Sequence, residues 1–529
     1  MQGVHICHSQ FLFEVKKVQN KPGHAAGEGT FGREAKCKVS PEIYGSFAGF
    51  MSNRDRGPLR KGAQIEGKIE NMAFGGKGLL RWESPDGRYP VFVPHTLPGQ
   101  RVRVRLVKAK RRYAEARLVK ILERSEQEVD TPYVDTPGAP FLRWPLEQQQ
   151  AHKAESVVEL YRRIGQEEAP EKRYDGFVAS PRSFHYRNKM EYSFSAVCYD
   201  PEQDAFVDDF ALGFKKRGQW LAVEQLEGDS GLFDAQWEAL VPRLRQWLSE
   251  RGHTAWHPRK QEGFCRMVAV RKSYADDQLL INLLTSSREN LDQQALTEWL
   301  RAELGERLGG LLHTINDDVS DRPRSTDGTQ TLLYGKPRLR ERVMGVDFTI
   351  SVESFFQTNP AAAEKLYEQV LDYVFAQKLP PGKVVLDLFS GTGTITQLLA
   401  LRAPDAPVIG VEMVEEAVAD ARQNAEQNGV KAEFVAADVG RFLLDHPQYQ
   451  GQIDTLVMDP PRAGITPKTL RKVMRLEARR MVYVSCNPAT QARDMEALRE
   501  FGYVLKRFSV VDQFPHTAHV EAVALFERG

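Results

Sequence analysis

The alternation of apolar and polar residues divides the chain into regions with different periodicities. Between Ala63 and Glu123, short segments alternate with period two and are separated by glycine and proline turns. Such segments, spaced by about 8–12 residues, predict a small antiparallel barrel. The preceding residues 1–55 have no sustained periodicity and are rich in glycine and polar residues, which predicts a flexible leader.

The remainder of the chain shows two further patterns of apolar and polar residues. Residues 125–355 mix helical stretches such as EQQQAHKAESVVELYRRIG with strand-like ones such as QLLINLLTS, and they predict an α+β region. From about Phe356, apolar strands alternate with loops and helices: KVVLDLF, APVIGVEM, KAEFVAAD, IDTLVMDPP and RRMVYVSC. Such a pattern predicts a mostly parallel sheet with helices on both faces. We therefore expect an α/β protein with a leader (1–55), a barrel (56–124), an α+β middle domain (125–355) and a sheet domain (356–529).

Composition limits the class of protein. Hydrophobic residues make up 41% of the 529 residues and charged residues 27%, as in ordinary globular proteins. No apolar run approaches the roughly 20 residues that a membrane helix needs, and the N-terminus MQGVHICHSQFLFEVKK does not have the pattern of a secretory signal. We expect a cytoplasmic monomer that does not bind membranes.

The cysteines do not form a recognisable framework. They are odd in number, widely scattered and never spaced as C-x-x-C, which argues against disulfides and against a zinc site. Each must therefore be judged individually. The five are Cys7, Cys37, Cys198, Cys265 and Cys486.

Charged residues are unevenly distributed along the chain, although the formal net charge is only +1. The segment 101–124 holds ten Lys or Arg residues against Glu115 and Glu123. Two interpretations stay open, a solvated strand face and a phosphate-binding surface. If the second holds, we expect RNA to contact Arg101, Arg103, Arg105 and Lys108.

A glycine turn marks a candidate ligand loop. The strand VVLDL turns into a helix through Gly391-Thr392-Gly393, a weak signal by itself because tight turns use glycine without any ligand. Acidic residues strengthen it, because Asp387, Glu412 and Asp438 gather at one edge of the predicted sheet. They would repel a phosphate, and the loop does not have the spacing of phosphate binders. A cationic ligand with a ribose diol fits better than NAD, namely S-adenosylmethionine, with Glu412 accepting from the ribose and Asp438 from the adenine amine.

One cysteine stands where a nucleophile could act. Cys486 follows the strand MVYVS and precedes NPATQARD, a predicted helix start whose amide dipoles favour a thiolate. The sequence DPPRAG, with Asp459, ends the fourth strand at the same sheet edge. Cys198 and Cys265 fit the alternative that describes most unpaired cysteines, a small buried apolar residue.

These motifs resemble those of a known family. In chain order, FFQTN, LDLFSGTGTIT, DPPRAG, VSCNP and HVEAVALFER are similar to the RNA uracil-C5 methyltransferases, which make 5-methyluridine. YRNKMEYSF and LGFKKRG match as well, and residues 63–123 resemble the OB-like TRAM barrel of the large-subunit ribosomal RNA type. The resemblance extends from about Gly57 to the C-terminus. It implies a class I S-adenosylmethionine-dependent methyltransferase sheet of the Rossmann-like kind.

The resemblance also implies roles for individual residues. Cys486 is expected to add to C6 of the uracil, and Glu521 to remove the C5 proton. Asp459 is also expected at the uracil edge, and at Thr394 the family often has Asn. With Asp387, Gly391, Gly393 and Asp438, the expected cofactor pocket includes Gln357, Phe389, Thr394, Glu412 and Asp459.

One departure concerns a metal cluster. Many relatives hold an iron–sulfur cluster through four cysteines between the barrel and the middle domain, but the stretch VDTPYVDTPGAPFLRWPLEQQQAHK contains no cysteine. We expect no cluster there and no metal elsewhere. Such a cluster would be structural, so its loss leaves the reaction intact and changes how this stretch docks RNA.

Several alternatives remain at this stage. The TRAM barrel favours a uridine in 23S-type ribosomal RNA over the T-loop of tRNA. Cytosine-C5 methylation is disfavoured because Arg462 stands where those enzymes have a second cysteine. Amino methylation of adenine gives Cys486 no role. A non-catalytic RNA-binding protein is disfavoured because Cys486, Glu521 and Glu412 are all present.

Overall fold

A computed structural model describes residues 59–84, 87–200, 205–216, 221–318 and 329–529. The predicted leader, with Cys7 and Cys37, lies outside these residues. The first five strands form a closed barrel in the order β1-β2-β3-β5-β4. Neighbouring strands are antiparallel, except that β3 and β5 pair in parallel. The strands are β1 (Gln64–Ala73), β2 (Lys77–Ser84), β3 (Gly87–Pro94), β4 (Arg101–Ala109) and β5 (Ala114–Glu123).

A seven-stranded sheet forms the centre of the next region, in the order β13-β12-β11-β10-β7-β8-β9. Aspartates cap two of its helices: Asp234 accepts from the Trp237 amide and Asp292 from the Ala295 amide. The elements are α1 (Leu146–Arg163), β6 (Tyr174–Val178), β7 (Lys189–Asp200), β8 (Ala205–Lys215), β9 (Val223–Gln225), α2 (Ala235–Glu250), β10 (Cys265–Lys272), β11 (Leu279–Thr285), α3 (Gln293–Leu304), β12 (Leu308–Ile315) and β13 (Gln330–Gly335).

A hairpin of β14 (Leu339–Val343) and β15 (Val346–Ile350) leads into an eight-stranded sheet in the order β18-β17-β16-β19-β20-β22-β21-β6. The strands from β18 to β20 run parallel, and β22 is antiparallel to both of its neighbours. The elements are α4 (Pro360–Val374), β16 (Val384–Leu388), α5 (Thr394–Arg402), β17 (Val408–Glu412), α6 (Glu415–Gln427), β18 (Glu433–Ala436), α7 (Val439–Asp445), β19 (Ile453–Met458), α8 (Pro467–Met474), β20 (Arg480–Ser485), α9 (Pro488–Glu500), β21 (Tyr503–Val511) and β22 (Glu521–Arg528).

The predicted fold class is confirmed, and the structure adds a connection that periodicity did not show. Strand β6 lies in the predicted middle domain but pairs in parallel with β21 of the last sheet. Helix α1 packs on α9, and the Tyr161 hydroxyl donates to the Gln491 side chain. The predicted domain boundaries stay predictions. In the described ranges, no helix combines the length and apolar character that crossing a bilayer requires.

Candidate active site

Carboxylates gather at the C-terminal ends of three neighbouring strands. Asp387 of β16 is completely buried, and its Oδ2 accepts a hydrogen bond of 2.6 Å from the Thr396 hydroxyl. Glu412 ends β17, and Asp459 follows β19. The C-terminal edge of a parallel sheet is the usual ligand-binding edge of such folds.

The loop after β16 is shaped by left-handed backbone conformations. Phe389, Gly391 and Gly393 have φ values of 66°, 54° and 79°. A Cβ atom on Gly393 would lie 2.6 Å from the Phe434 ring, so only glycine fits there. Glu412 braces the turn, because its carboxylate accepts from the Gly391 amide at 3.1 Å as well as from the two amides that follow it in the chain.

Burial makes Asp387 and Asp459 harder to ionise. The pKa of Asp387 is raised to about 7, mainly by burial and also by the charges of Asp459 and Glu412, while the Thr396 hydroxyl opposes the shift. Burial also raises the pKa of Asp459 to about 6. A cationic ligand at this edge would relieve the repulsion between the carboxylates, whereas a phosphate would add to it.

Strand order brings Cys486 next to Glu521. In the antiparallel pairing of β20 with β22, the last pair is Ser485 with Ala522, so Cys486 directly follows this pair on one strand and Glu521 directly precedes it on the other. The Cys486 thiol is half-buried, and only 4% of Glu521 is exposed. Burial, followed by the charge of Asp459, holds the Glu521 pKa well above its usual range, and Arg462 opposes this shift.

A helix starts directly after Cys486, where the sequence predicts one. Asn487 is the N-cap residue of α9, and Pro488 is its first residue. The Asn487 amide donates to the Ser485 hydroxyl at 3.2 Å, and its side chain donates to the Arg462 carbonyl at 3.4 Å. These bonds fix the backbone on both sides of the thiol.

The remaining predicted pocket residues lie around the same edge. Thr394 is the first residue of α5. The Gln357 carbonyl accepts from the Asn188 side chain at 3.1 Å. Asp438 is exposed and caps α7, because its carboxylate accepts from the Arg441 amide at 3.0 Å. This cap engages Oδ1, one of the two oxygens of the carboxylate that the sequence assigns to an adenine amine.

Sequence reasoning missed Tyr367 of α4. Its hydroxyl shares a hydrogen bond with Thr394, and burial raises its pKa, followed by the charges of Asp459 and Glu521. The ring is 6% exposed and belongs to the apolar core below the sheet. The only signal in the sequence is a hydroxyl-bearing ring on the apolar face of a helix, which is usually a core residue.

Comparisons with known proteins agree with this geometry. Residues 379–516 match a methyltransferase domain model, and residues 61–119 match a TRAM domain model. An uncharacterized RNA methyltransferase of Caldanaerobacter subterraneus is 35% identical over 89% of this chain and 100% of that protein. Another from Clostridium tetani is 32% identical over 89% of this chain and 99% of that protein. The chain belongs to the RNA methyltransferases. Its substrate is therefore RNA.

A solved structure resembles this RNA methyltransferase over most of its length. It is the Pyrococcus abyssi tRNA (uracil-54, C5)-methyltransferase in complex with S-adenosyl-L-homocysteine. The TM-score is 0.66 at 27% identity, and the match covers 87% of this chain and 100% of that one.

The cofactor prediction is confirmed, since the methyltransferase domain indicates S-adenosylmethionine. The residues of the methyltransferase fit this ligand. Asp387 Oδ1 and Ser390 Oγ are buried beside the glycine loop without a hydrogen-bond partner among the described residues. Unpaired buried polar atoms are costly and mark a place where a ligand completes the hydrogen bonding. No group of three or more metal-binding side chains occurs in the described ranges.

The stability of the ligand-free methyltransferase should depend on Asp387. Its folded-state pKa of about 7 exceeds the ordinary value of 3.8, so the associated stabilisation is complete below about pH 3.8 and is lost as the pH rises through 7. We expect Asp387→Asn to raise the free energy of unfolding by about 2–4 kcal/mol at pH 8. The gain should shrink below pH 6.

Urea unfolding between pH 5 and pH 8 without cofactor measures this difference. Asp438→Asn is the matched control, because Asp438 is exposed and Asn caps a helix as well as Asp does. A gain for Asp387→Asn that does not vary with pH would contradict the assignment of a buried carboxylate charge.

Proposed function

We propose that this RNA methyltransferase transfers a methyl group from S-adenosylmethionine to C5 of a uridine. The carrying observation is the register of β20 and β22, whose last pair, Ser485 with Ala522, is directly adjacent in the chain to Cys486 and Glu521. A thiol facing a carboxyl at the cofactor edge supplies the nucleophile and the base that uracil-C5 chemistry requires. The activity named for the Pyrococcus abyssi neighbour supports the same assignment.

Covalent addition activates the uracil. Its C5 atom is too weak a nucleophile to accept a methyl group unaided, so the Cys486 thiolate adds to C6. The S–C6 bond forms, and the electron pair of the C5=C6 double bond moves toward C5 and O4 as an enolate. Bound S-adenosylmethionine would supply the electrophilic methyl group that C5 takes up and, as its S–CH3 bond breaks, would leave as S-adenosylhomocysteine.

Glu521 then restores the aromatic base. Its carboxylate takes the proton from C5, the electron pair of the C5–H bond reforms the C5=C6 double bond, and the S–C6 bond breaks to release the thiolate. The raised pKa of Glu521 makes it a stronger base than an exposed carboxylate. The positive charge of Arg462 opposes that rise and supports the ionised form.

Competing chemistries do not use these groups. The Arg462 guanidinium lies 3.4 Å from His519 Nδ1, in the place where a cytosine-C5 enzyme would need its second cysteine. Methylation of an adenine amine would leave Cys486 without a role. A non-catalytic RNA-binding protein would bind RNA without incorporating methyl groups.

For the target we propose a uridine of 23S-type ribosomal RNA, on the strength of the TRAM barrel. The T-loop uridine of tRNA is the second candidate, favoured by the substrate named for the Pyrococcus abyssi neighbour. The reacting ring is the same in both RNAs, so discrimination must come from unpaired loops contacted by the other domains. Cytoplasmic location and a monomeric state remain predictions.

Mapping 5-methyluridine in a strain that lacks this gene tests the target. We expect one uridine of the large-subunit ribosomal RNA to lose its methyl group, and purified protein to restore it in vitro. Loss confined to the tRNA T-loop would make the second candidate correct. If no uridine changed in either RNA, and purified protein methylated neither, the uracil-C5 proposal would be wrong.

Three of the four barrel residues that are predicted to contact RNA form ion pairs with glutamates. Along β4 the arginines are exposed and the intervening valines are buried. Ion pairs join Arg101 to Glu123 at 2.9 Å, Arg103 to Glu66 at 2.7 Å and Lys108 to Glu115 at 3.7 Å. Pairs of this kind already neutralise three of the four predicted RNA contacts.

Arg105 has a different neighbour. It lies opposite Arg117 of β5, and both residues are exposed. Like charges directly opposite each other in a sheet repel, and a bound phosphate would relieve the repulsion. We therefore expect Arg105 and Arg117 to contribute more to RNA affinity than Arg101 or Arg103.

Salt dependence of RNA binding tests this difference. The double variant Arg105→Gln/Arg117→Gln should lower the slope of log affinity against log salt by about 0.7–0.9 for each RNA phosphate that the variant no longer neutralises. The matched control Arg101→Gln/Glu123→Gln removes an existing ion pair and should change the slope less. Equal slopes for the wild type and the Arg105/Arg117 variant would show that this surface is only solvated.

A further inference from the structure

The segment 512–520, which we name the junction loop, connects β21 to β22 and ends directly before Glu521. It contacts the barrel, helix α1, the middle domain and the loop that carries Gln357. This loop leads directly into the proposed base.

A buried ion pair ties the beginning of the junction loop to α1. Lys153 is 2% exposed and Asp512 is completely buried. The Lys153 ammonium donates to Asp512 Oδ1 at 2.6 Å and to the Phe514 carbonyl at 3.0 Å. The second oxygen, Asp512 Oδ2, is buried and has no hydrogen-bond partner among the described residues.

One helical turn earlier, Gln149 holds the centre of the junction loop. Its side-chain oxygen accepts from the His516 amide at 3.0 Å, and its side-chain nitrogen donates to the Phe141 carbonyl at 3.0 Å. The Phe141 amide in turn donates to the His516 carbonyl at 2.9 Å. Positions four residues apart share a helix face, so Gln149 and Lys153 act on the junction loop from the same side.

The opposite side of the junction loop is held by the loop before α4. The Gln513 side chain donates to the Gln357 side chain at 3.4 Å and to the Asn359 carbonyl at 3.2 Å. The Tyr186 hydroxyl donates to the Pro515 carbonyl at 3.0 Å. Ala518 packs with four apolar residues that join the barrel to the start of α1: Met72, Leu97, Phe141 and Trp144.

Stability alone does not account for the ion pair. The free-energy penalty of desolvating two charges is about as large as their Coulomb attraction, and replacing such a pair with apolar residues is often neutral or stabilising. The unpaired oxygen of Asp512 adds to that cost. What the pair does supply is a directional contact that fixes one position of the loop backbone.

We propose that Lys153, Asp512 and Gln149 are positioning residues, which hold the junction loop so that the Glu521 carboxylate faces C5 of the substrate. Two of them, Gln149 and Lys153, lie in the cysteine-free stretch 129–153, so this stretch is joined to the sheet domain by hydrogen bonds. The inference rests on the proposed role of Glu521 as the base.

The double variant Lys153→Met/Asp512→Leu tests the inference without leaving a buried charge unpaired. We expect a folded protein whose kcat falls about 10–100-fold, because small displacements of a catalytic group cost that much. The KM for S-adenosylmethionine should stay within about twofold of the wild type. A methylated covalent adduct should accumulate on unmodified RNA, since proton removal from C5 becomes slow. Unchanged kcat without adduct in the folded variant would overturn the inference.

A second test variant and a control variant distinguish a positioning role from a general effect on stability. Gln149→Met removes the bond to the His516 amide without touching a charge, and it should also slow turnover and accumulate adduct. The matched control Arg480→Met/Asp454→Leu removes a buried ion pair of 3.3 Å at the other end of β19 and β20, and it should leave kcat unchanged. If Gln149→Met behaves like this control, the positioning role is wrong.

The test of the positioning residues can be distinguished from the test of Glu521 as the base. Glu521→Gln must itself accumulate adduct if Glu521 is the base. If that variant turns over normally, the proposed base is wrong. If it accumulates adduct while the Lys153/Asp512 and Gln149 variants do not, only the positioning inference fails.

Discussion

Cys486→Ala is expected to lose methyl transfer by roughly 10⁴-fold or more, the scale found when a covalent nucleophile is removed. Without the thiolate, no bond forms at C6 and C5 does not gain the electron density that methyl uptake requires. RNA affinity should stay nearly unchanged, because the charged barrel surface lies on a different domain. A loss of this size corresponds to about 5.5 kcal/mol of transition-state stabilisation.

Incorporation of labelled methyl groups into RNA measures this loss, and RNA carrying 5-fluorouridine reports the bond itself. Fluorine at C5 cannot leave as a proton, so the intact protein should be trapped as an adduct that survives denaturation. Cys198→Ala is the matched control, because Cys198 is a buried thiol of the middle-domain sheet. Adduct formation by Cys486→Ala would show that another residue is the nucleophile.

Glu521→Gln is expected to stop turnover after the methyl group has moved. An amide of the same size cannot take the C5 proton, so the S–C6 bond cannot be broken by elimination. We expect kcat to fall about 10²–10⁴-fold, the range for loss of a general base. The methylated adduct should persist on ordinary RNA, where the wild type releases it.

Denaturing gels and intact mass spectrometry distinguish this state from simple inactivity. The expected species is the protein plus RNA plus one methyl group, formed only with S-adenosylmethionine present. Glu527→Gln, at the other end of the same strand, is the matched control and should turn over normally. An inactive Glu521→Gln protein that forms no adduct would place Glu521 before the addition step instead of after it.

Rising pH should increase kcat over the range in which Glu521 ionises. Its pKa is raised, so the carboxylate form is scarce at low pH and becomes available as the pH rises through that pKa. The sequence assigned this role to Glu521 through the resemblance of HVEAVALFER, whereas the burial of its carboxyl group and the influence of Asp459 on it are seen only in the structure.

The sequence by itself determined the five parallel strands of the last sheet, the glycine loop and the edge at which these strands end. Apolar runs followed by acidic residues are local patterns, and the C-terminal ends of parallel strands must share an edge. The positions of Asp387, Glu412 and Cys486 near the ends of their strands could therefore be predicted from the sequence. The residue type of Gly393 permits its left-handed conformation, whereas the positive φ of Phe389 in the same loop could not be predicted from residue type.

Only the tertiary structure decided which of these residues are neighbours. The insertion of β22 between β20 and β21 brings the start of β22, at Glu521, to the end of β20, directly before Cys486, and the bond from Lys153 to Asp512 joins residues 359 positions apart. The glutamates that neutralise Arg101 and Arg103 also come from other strands, Glu123 from β5 and Glu66 from β1. Periodicity reports how one segment divides between core and solvent, whereas strand order and ion pairing depend on packing between distant segments.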